Sequence, residues 1–217
     1  MGNFQTNGRW NLSEQENHIN YLELLAIFYA LKSLYDHLFN THVCIQSDNT
    51  VAISYINNQC GSIDNLFELS KEVWLWSSKR GIFLSAKHVA GKSNVLADSL
   101  SRNFSSSTKW KLNEYIFTKI CNYFFIPDVD LFAFRLNRQL DKYVAWHPDP
   151  FCLACDAFSI SWSKYKPYLF PPFSMISRVL AKVSENRIYQ LRCGIRFYYQ
   201  CSQPTQFGYL SARTFYV

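Results

Sequence analysis

An α/β fold with a parallel pair of strands is predicted for residues 1–102, and three observations predict it. Two short apolar runs, His42–Ser47 and Ile82–Val89, have the length and patterning of strands. Between them lie two segments of helical period, which is the crossover length that parallel pairing requires. The composition is 48% hydrophobic and 18% aromatic with only 7 Gly and 7 Pro, which excludes a disordered or collagen-like chain.

The first long element begins near Asn20. Leu24, Ile27, Phe28, Leu31, Leu34, Tyr35 and Leu38 recur at helical spacing. Asn20 is placed to cap this helix, and Glu23 is placed to reach back and complete a capping box. "HVCIQS" is then a buried strand, and "NTVAISYINN" (Asn49–Asn58) a short helix. "NLFELSKEVWLWSSKRG" (Asn65–Gly81) is an amphipathic helix closed by Gly81. "IFLSAKHV" alternates as a second strand, and "GKSNVLADSLSR" (Gly91–Arg102) is a loop running into a helix capped by Asn94.

A Ser-rich break, "RNFSSSTK", follows and places a linker at 103–109. A mostly helical or irregular extension spans 110–185. In it, helices are predicted in "NEYIFTKICNYFF" and, opened by proline, in "FPPFSMISRVLAKVSE", with a short strand in "IPDVDLFAF". Residues 186–217 show no sustained period and receive no assignment.

Charge divides between the halves. Residues 1–102 carry 8 Lys and Arg against 9 Asp and Glu, a net −1; residues 103–217 carry 14 against 7, a net +7. The basic half, with aromatics interleaved in "KWKLNEYIF" and "SWSKYKPYLF", suits either a phosphate-bearing partner or a solvated basic face. Seven cysteines at irregular spacing, with no apolar leader in "MGNFQTNGRW", point to reduced thiols in an intracellular protein. "MGNFQT" fits the loose N-myristoylation pattern, which is too short to carry an assignment. No run reaches the ~18 apolar residues of a membrane helix. "CLAC" (Cys152–Cys155) is a lone C-x-x-C; His147 and Cys121 are its nearby candidate zinc partners, and free thiols are the simpler reading.

Three acids stand out: Glu23 in the first turn of a helix, Asp48 just past a strand, and Asp98 late in a helix. Taken singly, Glu23 completes a cap, Asp48 opens the next helix, and Asp98 is solvated. Taken together, carboxylates converging from apolar elements would repel one another unless a divalent cation sat among them. An all-oxygen set suits Mg²⁺ or Mn²⁺, and such ions serve phosphodiester hydrolysis.

"GRWNLSEQENHINYLELLAIFYALKSL", "CIQSDNTVAISYINNQCGS" and "KHVAGKSNVLADSLSR" resemble, in this order, the ribonuclease H domain of retroelement polyproteins, with DIRS-type elements the nearest likeness. The segment from "PDVDLFAFRLNRQLDKYVAWHPDP" to "FPPFSMISRVLAKV" resembles the extension that follows that domain, so the likeness covers about residues 8–185. The resemblance implies that Glu23, Asp48 and Asp98 are catalytic metal ligands for Mg²⁺ or Mn²⁺ in cleaving the RNA strand of an RNA–DNA hybrid. His88 and Gly91 match the block before the last helix, where Lys92 stands in a loop that carries a mobile His in many cellular ribonucleases H. Asn49, Thr50, Asn57, Asn58, His88 and Lys92 are the candidate hybrid contacts.

The resemblance also places a further Asp on a first strand upstream of Gly8, whereas the first acid here is Glu14. A ribonuclease H-like fold with an incomplete sheet is therefore expected, its first central strand missing. The expected activity is weak or absent, and the alternative is an inactive remnant that at most binds nucleic acid. A monomer without membrane or stable protein partner is expected.

Overall fold

The computed structural model describes residues 6, 8–59, 61–93 and 111–185. Contacts divide the chain into two compact units, Met1–Ser105 and Ser106–Val217, and each has its own apolar core. The predicted linker at 103–109, the helix capped by Asn94 and the tail lie outside the described residues. Among the described residues, no helix is long and apolar enough to cross a membrane.

Unit 1 is a mixed α/β unit built on a parallel strand pair. Its elements are α1 (Leu12–Gln15), α2 (Ile19–Tyr35), β1 (His42–Ser47), α3 (Thr50–Asn58), α4 (Asp64–Ser78) and β2 (Phe83–His88). The two strands align His42 with Phe83 through Ser47 with His88. One sheet face carries Val43, Leu84 and Ala86 into a core with Leu24, Phe28 and Leu31 of α2, Ile56 of α3, and Leu69 and Val73 of α4. Burial of these side chains from three helices on one sheet face drives the assembly. The opposite face presents His42, Cys44, Gln46, Phe83 and Lys87, all exposed.

Helix starts differ from expectation in one instructive case. The cap of α2 is His18, whose Nδ1 accepts from the Asn20 backbone N–H at 3.2 Å, so Asn20 and Glu23 do not form a capping box. The box forms instead on α1. The Glu14 N–H donates to Asn11 Oδ1, and the Asn11 N–H donates to Glu14 Oε2, both at 2.7 Å. Tyr29 Oη donates to the remaining Glu14 oxygen at 2.7 Å, which ties α1 to α2. The C-terminus of α4 closes as predicted around Gly81, at φ +64°. The Ile82 N–H reaches the Ser77 carbonyl at 2.9 Å and the Gly81 N–H that of Ser78 at 3.0 Å.

Unit 2 has less regular structure. It contains α5 (Glu114–Tyr123), four two-residue strands paired in parallel as β3 (Val129–Asp130) with β6 (Pro167–Tyr168) and β4 (Val144–Ala145) with β5 (Ala154–Cys155), and α6 (Ile176–Glu185).

 Val129, Leu131, Val144, Ala157, Trp162 and Val179 form its main core. The proline-opened helix begins as a short 3₁₀ turn, Phe173–Met175, before α6 proper. The strand predicted in 126–134 contracts to the pair Val129–Asp130, because the chain turns immediately after it.

Several of the basic and aromatic residues of this half pack on one another. Arg178 lies 3.8 Å from the Phe158 ring centroid and Lys182 5.5 Å from that of Trp162. The Trp162 indole is fully buried and donates to the Ala157 carbonyl at 2.6 Å.

Candidate metal and nucleic-acid site

β1 and β2 run parallel, so their C-terminal ends lie together, and the candidate residues gather there. Ser47 ends β1 in the core, where its Oγ accepts from the Asn49 N–H at 3.1 Å. Asp48 follows and is exposed at the rim of the sheet. Asn49 caps α3, its Oδ1 accepting from the Ala52 N–H at 3.0 Å. The same side chain donates through Nδ2 to Asn20 Oδ1 at 3.1 Å. That bond fixes the first turn of α2 against the β1–α3 junction.

Asn20 and Glu23 are three residues apart on α2 and so share a helix face. Clamping Asn20 to Asn49 therefore brings Glu23 beside Asp48. The consequence is electrostatic. Glu23 is half-buried, and its carboxyl is held above the ordinary range first by burial and then by the Asp48 charge. From β2, Gly91 closes on the same point: a Cβ at this glycine would lie 3.5 Å from Asp48 Oδ2.

Glu23 and Asp48 are thus two carboxylates that act on each other at one corner. Asp98, the third expected ligand, lies outside the described residues. Among the described residues, no group of three His, Cys, Asp or Glu is placed to hold a metal ion. The pair can supply oxygen ligands for a hard cation, and their mutual repulsion is what such a cation would relieve.

The six candidate contact residues take different positions. Thr50 is exposed at the start of α3, and His88 and Lys92 are exposed on the β2 side of the same rim. Asn49 is engaged as the cap and clamp described above. Asn58 is exposed and donates to Ser54 Oγ at 3.1 Å. Asn57 is exposed, and its amide is bound to the edge of β2. Its Nδ2 donates to the Ala86 carbonyl at 2.9 Å and its Oδ1 accepts from the Ala86 N–H at 2.8 Å. Its amide is therefore a sheet-edge group, already paired to backbone. Sequence reasoning missed the Asn20–Asn49 clamp, because no local pattern links residues 29 positions apart.

No family model, curated protein or solved structure matches this chain.

Proposed function

We propose that residues 1–102 are a ribonuclease H-like module, of the kind that hydrolyses the RNA strand of RNA–DNA hybrids, with activity that is weak because the first-strand Asp of the resemblance has no counterpart here. The observation that carries this reading is the pairing of Glu23 with Asp48 at the C-terminal rim of a parallel strand pair. Such rims are where open α/β sheets bind ligands. The sequence resemblance supports the same reading, in Glu23, Asp48 and Asp98 alike.

Glu23 and Asp48, with Asp98, would hold Mg²⁺ or Mn²⁺. A divalent cation bound there supplies an activated water and charge stabilisation for the leaving oxygen. The chain's own part is positional. The Asn20–Asn49 bond sets the Glu23 carboxylate, the β1 terminus sets that of Asp48, and Gly91 leaves room beside it. Thr50, His88 and Lys92 line the same rim, where they suit contacts to a hybrid's sugar–phosphate backbone.

The test is cleavage of an end-labelled RNA–DNA hybrid with Mg²⁺ or Mn²⁺. The native chain should cut the RNA strand only weakly, and Asp48→Asn should lower that rate by a further factor of about a hundred. Equal cleavage by both proteins would remove Asp48 from the site. A second reading, a module that binds nucleic acid without hydrolysis, is favoured by the net +7 of residues 103–217.

A further inference from the structure

The "CLAC" segment of unit 2 is unrelated to the carboxylate rim and has a geometry of its own. Cys152 Sγ and Cys155 Sγ lie 3.9 Å apart. Cys155 is exposed and Cys152 half-buried, and both are free thiols.

The backbone on both sides of the pair is fixed. The Cys152 N–H donates to the Asp149 carbonyl at 3.3 Å, and the Leu153 N–H to that of Tyr143 at 2.7 Å. Cys155 is held in register with Ala145, and the Asp156 N–H donates to the Ala145 carbonyl at 2.8 Å. Asp149 is anchored in turn, accepting from Tyr143 Oη and from the Arg135 N–H. With the main chain set, the sulfurs must approach by just under 2 Å to reach the ~2.05 Å of a disulfide, within the reach of side-chain rotation.

We propose that Cys152 and Cys155 form a reversible two-electron redox site, closing to an internal disulfide when a low-molecular-weight disulfide such as oxidised glutathione is the oxidant. The exposed Cys155 thiolate attacks one sulfur of the oxidant, forms a mixed disulfide and releases one glutathione thiolate. Cys152, deprotonated, then displaces the second glutathione and completes the Cys152–Cys155 bond. The protein gives up two electrons and two protons, and the oxidant becomes two thiols.

Closure would tie Cys155, the last residue of β5, to the segment that leads into that strand. It would also remove a thiol that the surroundings hold protonated. Burial first, then Cys152 and Asp149, push the Cys155 thiol up to about 11. Oxidation should therefore be slow at neutral pH and accelerate about tenfold per pH unit between pH 7 and pH 9, following the thiolate fraction.

The full chain is incubated with oxidised glutathione, blocked with an alkylating reagent and digested with trypsin without reduction. The peptide 143–164 contains both cysteines and no others. The expected product is this peptide two hydrogens lighter and unalkylated, returning to the doubly alkylated form after dithiothreitol. In Cys152→Ser, Cys155 should stop at the mixed glutathione disulfide. Three results would overturn the proposal: a peptide still doubly alkylated after oxidation at pH 9, a mixed disulfide persisting on the native chain, or either cysteine linked to another position.

Discussion

Glu23 is half-buried within reach of the Asp48 charge, and their repulsion has a measurable sign. Glu23 binds its proton more tightly folded than unfolded. Its contribution to stability is therefore complete below its unfolded pKa and lost as pH rises through the folded value. A divalent cation should reverse this loss. Millimolar Mg²⁺ or Mn²⁺ is expected to raise the Tm at pH 7, to do little at pH 4, and to have no effect on Asp48→Asn; scanning fluorimetry across these conditions checks it. Asp130 in unit 2 offers a stronger pH effect. It is 2% exposed, and burial pushes its carboxyl from near 3.8 to about 6, against the opposing pull of the Gln139 and Phe132 N–H groups and Lys111. Its stabilising share is thus present below pH 3.8 and lost as pH rises through 6. Relative to Asp130→Asn, the native chain should gain on the order of 2–3 kcal/mol between pH 7 and pH 4, read from urea unfolding at each pH.

At the scale of elements, Gly81 closes α4 in the left-handed region, where a Cβ would stand 2.3 Å from Asn40 Oδ1. Gly81→Ala should cost about 1–2 kcal/mol in chemical denaturation, combining backbone strain with displacement of the Asn40 side chain. This closure was legible in the sequence because helix end signals are local: an amphipathic run followed by glycine. β1, α3, α4 and β2 were legible for the same reason, their apolar periods being distinct. The start of α2 was not. Two N-x-x-E patterns, Asn11–Glu14 and Asn20–Glu23, lie near this helix start, and local chemistry favours neither. Tyr29 Oη decides between them by bonding Glu14 from 15 residues away, and Asn20 is drawn to Asn49 instead. Asn57 escaped for the same cause, since its partner Ala86 lies 29 residues on. Of the three acids, the sequence signalled residue type and context, while the meeting of Glu23 with Asp48 depends on that distant clamp.

For the whole molecule, the uneven charge sets the expected behaviour toward polyanions. Arg178 and Lys182 lie over aromatic rings, so the basic half is only partly a free cationic surface. Lys164 and Lys166 are exposed. Binding of a hybrid duplex should weaken with salt, with a log–log slope steeper than about −3, and Lys164→Ala with Lys166→Ala should flatten it by about 2 units, as fluorescence anisotropy would read. An unchanged slope would locate the phosphate contacts elsewhere. The sheet of unit 1 has a consequence of a different kind. In the β1–β2 ladder, the Phe83 and Val89 N–H groups reach back to β1, so by alternation the polar backbone of Ala86 points outward, where the Asn57 amide imitates the peptide group of a neighbouring strand. Recruitment of a foreign strand on that flank would first have to displace two formed bonds. Lengthening of this two-stranded ribbon past β2 is therefore opposed by a side chain already in place.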